Sequence, residues 1–315
     1  MRDSRWIEIL IVLFFLVAIL AGLWPESIVP ASPTGTGDQP PVQAGTVAPS
    51  QEAAVPMFRI TPSPTVTMAP GQSGTRVLFK AEDGRELVGY FYPSWKSNAP
   101  VVVLMHEYRN SQAGWQESAI IPWMQNWGAL DPSGRAYVYA GGRLPQIPVD
   151  LSFAVFTFDF RGHGESLPLL ESDDVSLYAD EFLMDAKAAY AIARTMPGVD
   201  PNHVIGIGTS IGADAVVDAC GEFCSGAFSV SPGNWLNVDY RQAAQTMLAE
   251  GKPVHCMYAL NDYPAPQTCW SIAPNDLYRI HVYLGSKHGM TFFVPRKMEA
   301  GFGSNLLEFL KAASE

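Results

Sequence analysis

HVIGIGTSIGADAVV, residues 203–217, passes from an apolar run punctuated by glycine into a run with helical spacing, through the five residues Gly208-Thr209-Ser210-Ile211-Gly212. A serine at such a strand-to-helix turn is held in a strained backbone conformation. The residues two places to either side must be small, because strand and helix approach each other closely there. Gly208 and Gly212 meet that demand. The turn would expose the Ser210 hydroxyl and set the Ile211 N–H at the first turn of a helix, where it can donate to a developing oxyanion. A competing reading takes Gly206, Gly208 and Gly212 as a dinucleotide-binding turn. That motif needs glycine where Ile211 stands and an acidic residue about 20 positions on, and Phe228 to Ser231 contain none.

Outward from this turn, from about residue 75 to the C-terminus, short β-rich runs alternate with longer helical ones, which predicts a mostly parallel sheet with helices on both faces. The expected strands are Leu87–Tyr92, Pro100–Met105, Phe153–Phe158, His203–Gly208, Ala227–Val230, Val254–Leu260 and Leu277–Leu284. The expected helices are Gln112–Trp127, Leu177–Thr195, Ile211–Ala219, Tyr240–Glu250 and Asn305–Ala312. Only Ser231 to Asp239 separate the strand at 227–230 from its helix, too little for an inserted lid domain, so the site is expected to be open. The irregular stretch 129–150, rich in Gly, Pro and Tyr, is the candidate for covering the rim.

DFRGHGES, Asp159 to Ser166, lies just after the strand that precedes the serine strand. Together with the Ser210 turn it resembles the α/β-hydrolase superfamily, over residues 76–315. GVDPNHVIGIGTSIGADAVV followed by SVSPGNW is similar to esterase-like and dienelactone-hydrolase-like members without a large lid domain. The resemblance implies that Asp159, Arg161 and His163 shape a loop beside the site. A nucleophilic serine needs a base, and of the six histidines His288, in GSKHGM after the last strand, stands where relatives bring theirs over the serine. The acid should fall between Ser210 and His288 just beyond a strand end. Asp262 in ALNDYP satisfies both conditions, and Asp239 is the alternative. The second oxyanion donor is expected from the loop after PVVVLM, with Tyr108 the choice by position. Glu107 stands where many relatives have glycine, and dienelactone hydrolases resemble this chain in carrying Glu there. It is read either as touching the resting nucleophile or as a solvated carboxylate. Trp235, Tyr263, Met290 and Phe292 are expected to flank the site.

The implied activity is that of a serine hydrolase cleaving carboxylic esters of small molecules through an acyl-enzyme. Acyl transfer or peptide cleavage by the same triad, and a non-catalytic binding protein on the same fold, are the alternatives. No metal-binding His-Glu-x-x-His run, Cys/His knuckle or phosphate-binding Gly-Lys-Ser/Thr loop occurs, so no cofactor or metal is expected. With 31 acidic against 20 basic residues and a net charge of −11, the chain lacks the basic footprint that nucleic acid requires.

Trp6 to Trp24 hold a single charge, Glu8, and at about 1.5 Å per residue a helix of that length nearly crosses a bilayer core. Arg2 and Arg5 precede it, and no Lys or Arg follows until Arg59, which places residues 75–315 outside the plasma membrane. Residues 1–24 are accordingly read as a single-pass anchor. The alternative is a signal peptide cleaved after Ala31, which would give a secreted protein. Residues 25–74, with ten prolines, one aromatic residue and four charges, cannot bury enough apolar surface to order themselves and read as a disordered linker. Cys220, Cys224, Cys256 and Cys269 all fall in the folded part, in the oxidising compartment this topology implies. The sequence-near pairings, Cys220 with Cys224 and Cys256 with Cys269, are favoured, against buried free thiols.

Overall fold

The computed structural model describes residues 74–126, 143–222 and 224–315. The expected anchor at 1–24, and the expected linker at 25–74 apart from its last residue, lie outside the described residues. Among the described residues no helix is long and apolar enough to cross a membrane.

Eight strands form one sheet in the order β1-β2-β4-β3-β5-β6-β7-β8. They are β1 Thr75–Lys80, β2 Glu86–Tyr92, β3 Ala99–Met105, β4 Ala154–Phe158, β5 Val199–Thr209, β6 Gly226–Val230, β7 Val254–Ala259 and β8 Tyr278–Tyr283. β2 is antiparallel to β1 and to β4, and every other pairing is parallel. Parallel strands need crossovers, here supplied by α1 Ala113–Glu117, α2 Ile120–Gln125, α3 Ala179–Ala193, α4 Ile211–Asp218, α5 Tyr240–Ala249 and α6 Ala265–Cys269, and α7 Phe302–Ala312 follows the last strand.

The two-residue period of the strands sorts their side chains onto two cores. From β3, Val101, Val103 and Met105 join Phe156, Phe158 and residues of α3, α4 and α5 on one face. Val102 and Leu104 join Val155 and residues of α1, α2 and α7 on the other. Because both faces are covered, β3, β4 and β6 are almost wholly buried, which is why their sequences are continuous apolar runs rather than alternating ones. The loops after β3 to β8 all leave the same, C-terminal edge of the sheet, where ligands of such sheets bind.

Two expectations about elements are corrected. The single helix expected over 112–127 is broken into α1 and α2, with Ala119 between them in the left-handed region at φ 64°. Ser118 Oγ donates to the Trp115 carbonyl at 2.6 Å, and the restart puts Pro122 in the first turn of α2. A continuous helix would have set the Pro122 ring against the residue 118 carbonyl. Of the stretch 129–150 expected over the rim, residues 129–142 lie outside the described residues, and the remainder packs against α2. Trp123 Nε1 donates to the Pro145 carbonyl at 2.6 Å, Asn126 Nδ2 donates to Pro148, and Leu144 and Ile147 are buried.

The cysteines form the bridges Cys220–Cys224 and Cys256–Cys269. The second ties β7 to α6, so the intervening loop, which carries Asp262, is closed at both ends.

Candidate active site

β5 ends at Thr209 and α4 begins at Ile211, which leaves Ser210 as the single residue of the turn, at φ 53° and ψ −116°. Few non-glycine residues occupy this region, and the surrounding structure has to impose it. The Ser210 N–H donates to the Val230 carbonyl at 2.9 Å, and its own carbonyl accepts from Ala213 at 2.9 Å. The glycines are steric necessities. A Cβ on Gly208 would sit 1.9 Å from the Gly212 carbonyl oxygen, and one on Gly212 would sit 2.3 Å from the Met105 carbonyl oxygen and 2.8 Å from that of His106. The same close approach brings the exit of β3, at Met105 and His106, against the start of α4.

The β3 exit loop is set by His106, which is fully buried. The Phe160 N–H donates to its Nε2 at 3.1 Å, so the proton is on Nδ1, which donates to the Glu107 carbonyl at 2.7 Å. Burial, with His163 close by, lowers its pKa to about 3, which keeps the ring neutral and this tautomer fixed. The Asn110 N–H also donates to the Glu107 carbonyl, closing a turn with Tyr108 and Arg109 at its tip. The Tyr108 ring packs edge-on against His163, its centroid 5.2 Å away, and the Arg109 guanidinium lies 5.7 Å from the Tyr108 centroid.

The base and acid candidates meet. Leu260 N–H donates to the Tyr283 carbonyl and Asn261 N–H to the Gly285 carbonyl, which zips the loops after β7 and β8 together. Asp262 Oδ1 then lies 2.7 Å from His288 Nδ1. The Asp262 side chain is 5% exposed and the His288 side chain 43%, so the carboxylate is shielded while the imidazole reaches solvent. The hydrogen bond to Asp262 raises the His288 pKa; burial opposes this, and the charges of Asp262 and Glu107 add to it. The residue after His288 approaches the strand end beneath Ser210, since a Cβ on Gly289 would lie 3.6 Å from Thr209 Cβ. Asp239, the alternative acid, is the N-cap of α5 and accepts from the Arg241 N–H at 3.0 Å.

Of the expected flanking residues, Tyr263 stands 67% exposed beside Asp262, and Trp235 is partly exposed with its indole folded over Gly233. Met290 and Phe292 do not form a wall. Both are buried in the core shared with α1, α2 and α7, and the Met290 methyl faces Gly114 of α1. The residues of DFRGHGES brace their loop. Asp159 accepts from the N–H groups of Gln112 and Glu165 at 2.7 and 2.8 Å, and Ser166 Oγ links the Asp159 carbonyl to the Val88 N–H. Arg161 reaches Asp185 at 2.7 Å and Asp83 at 2.6 Å. Burial raises the Asp185 pKa to about 6, against the pull of Arg161. One residue of the site had no role assigned from the sequence. Ser231, buried at φ 60°, accepts the Gly289 N–H on its Oγ at 3.0 Å, and it was visible only as part of SVSPGNW.

No protein-family model and no curated protein matches the sequence. Solved structures do. The Pyrococcus furiosus esterase Pf2001 aligns with a TM-score of 0.51 at 17% identity, covering 78% of this chain and 94% of that one. A protein described as a predicted CIB-like hydrolase, from Thermoplasma acidophilum, aligns with a TM-score of 0.52 at 13% identity, covering 76% of this chain and 99% of that one. With the strand order and the turn at Ser210, this likeness defines the class: the chain has the α/β-hydrolase fold.

Proposed function

We propose that this protein is a serine hydrolase that cleaves carboxylic esters, with Ser210 as nucleophile, His288 as base and Asp262 as the acid that orients it. The observation that carries the reading is that a strained serine at the N-cap of α4 and a carboxylate-bound histidine stand at the same edge of one sheet. In this reading Ser210 Oγ attacks the ester carbonyl while His288 Nε2 takes its proton. Asp262 holds Nδ1–H and stabilises the imidazolium, and the N–H groups of Ile211 and Tyr108 receive the oxyanion. His288 next protonates the departing alkoxide. Water, deprotonated by the same histidine, then releases the acid from the serine. The exposed edge of the imidazole supports hydrolysis over transfer to another acceptor.

The reading includes an extracytoplasmic location, tethered through residues 1–24. Two disulfides in the folded part fit an oxidising compartment, and Arg2 and Arg5 fit an N-terminus left in the cytoplasm. Fluorophosphonate labelling of the full chain tests the chemistry. Labelling and hydrolysis of p-nitrophenyl esters are expected in the wild type and absent in Ser210→Ala, and labelling that survives the substitution removes the assignment. Protease digestion of intact cells tests the location, which fails if the folded part is cut only after lysis.

A further inference from the structure

Glu107 stands where a glycine is common in such folds, and each of its carboxylate oxygens accepts a hydrogen bond. Oε2 accepts the Met290 N–H at 2.8 Å across 183 residues of sequence, and Oε1 accepts from Asn110 Nδ2 at 3.3 Å. The N–H one residue earlier, that of Gly289, donates to Ser231 Oγ. The two consecutive N–H groups that follow His288 are thus held by side chains from two different strand exits, those of β3 and β6. The fit leaves no spare room. Gly289 sits at φ 49°, and a Cβ there would lie 1.8 Å from Glu107 Oε2. Glu107 is itself anchored through its carbonyl by the fixed tautomer of His106 and by the Asn110 N–H.

We propose that Glu107 is a positioning residue for His288: its carboxylate clamps the histidine loop to the oxyanion side of the site and presents a negative charge toward the imidazole. A carboxylate accepting a backbone N–H makes a stronger bond than a neutral acceptor and holds its geometry more tightly. A displacement of about 1 Å in a reacting group can cost about 10²-fold in rate. The charged groups facing His288 are Asp262, from the loop after β7, and Glu107, from the loop after β3, and both favour the protonated ring. Lys287, adjacent in sequence, is occupied by Glu299 and by the Lys297 carbonyl. Glu107 therefore acts in two separable ways, by holding a loop and by adding charge.

This inference rests on the triad reading, so its test separates the two. Full-length wild type, Glu107→Gln, Glu107→Ala, Gly289→Ala and the double variant Gly289→Ala/Glu107→Ala are compared in three measurements. These are fluorophosphonate labelling, kcat/KM for a p-nitrophenyl ester against pH, and the NMR titration of the His288 imidazole. Glu107→Gln keeps an oxygen for the Met290 N–H, so its kcat/KM at the optimum should stay within about tenfold of wild type. Having lost the charge, it should move the acid limb and the His288 titration to lower pH. Glu107→Ala should lose about 10²-fold, mainly in kcat, as well as moving the limb. Gly289→Ala should cost less in the Glu107→Ala background than alone, because the blocking carboxylate is gone. If the wild type is labelled and active while both Glu107 variants match it in rate and acid limb, the positioning role is overturned and the triad stands. If the wild type is neither labelled nor active, the triad reading falls. The titration then tests the charge that Glu107 presents to His288 by itself, and an unchanged His288 titration in Glu107→Ala overturns the proposal.

Discussion

The serine turn and the histidine–aspartate pair sit at the same edge of one sheet yet are built in opposite ways. Ser210 is shaped mainly by its own neighbourhood, two glycines within two residues at the end of β5 and the start of α4, with the Val230 carbonyl and the β3 exit closing on it from outside. His288 and Asp262 are brought together by separate parts of the chain: the loop closed by the Cys256–Cys269 bridge carries Asp262, while Ser231 and Glu107 hold the residues after His288, Glu107 lying 183 residues from its partner Met290. A local device fails through sterics, and an assembled one fails through lost geometry while the fold persists. Substitutions in the two halves should therefore separate stability from turnover.

The sharpest test of the assembled half is Asp262→Asn. It should leave thermal stability near that of the wild type but favour the wrong imidazole tautomer, lowering kcat by about 10⁴-fold. Asp239→Ala should do the reverse, removing the α5 cap at a cost of about 1 kcal/mol with turnover kept. Ester hydrolysis and chemical denaturation of both variants decide this, and an exchange of the two phenotypes would move the acid to the loop after β6.

Next in size is the local half. Gly208→Ala forces a methyl group against the Gly212 carbonyl, where the gap is 1.9 Å. It should destabilise the fold by roughly 3 kcal/mol, the upper end for overpacking a tight site, and lose labelling at the same time. A Gly208→Ala protein with normal stability and labelling would mean that strand and helix can part, and the contrast between the halves would dissolve.

The smallest expected effect compares the two bridges. Loop-closure entropy gives about 3 kcal/mol for the Cys256–Cys269 loop and about 2 kcal/mol for the shorter Cys220–Cys224 loop. Cys256→Ala/Cys269→Ala should also lower turnover at temperatures where the domain is still folded, because the loop bearing Asp262 loosens. Cys220→Ala/Cys224→Ala should lower only the melting temperature. Equal losses of turnover in the two double variants would show that neither bridge serves the acid in particular.

Much of this architecture is legible without coordinates. Buried parallel strands such as PVVVLM and AVFTF are apolar runs that only a sheet covered on both faces can use. β1, TRVLFK, is an edge strand with most of its side chains exposed, and it carries no such signal. α6 has five residues, too few for a helical period to register. Pro122 carries a signal for the break between α1 and α2 that the expected single helix over 112–127 passed over, because a proline ring conflicts with the carbonyl four residues earlier wherever the helix is continuous.

The sequence by itself points to the turn at Ser210, since a Cβ on Gly208 would meet the Gly212 carbonyl four residues on, while the space that Gly212 leaves is filled by the distant β3 exit at Met105 and His106. It also nominates His288 and Asp262, because chain order and strand ends constrain where a base and an acid can stand. Only the tertiary structure decides what holds them. The hydrogen bond from the Met290 N–H to Glu107 and that from the Gly289 N–H to Ser231 join segments whose sequences carry no trace of each other. The burial of Met290 and Phe292 was likewise decided by packing, because an apolar side chain close to His288 in sequence has the same composition whether it faces the candidate site or the core.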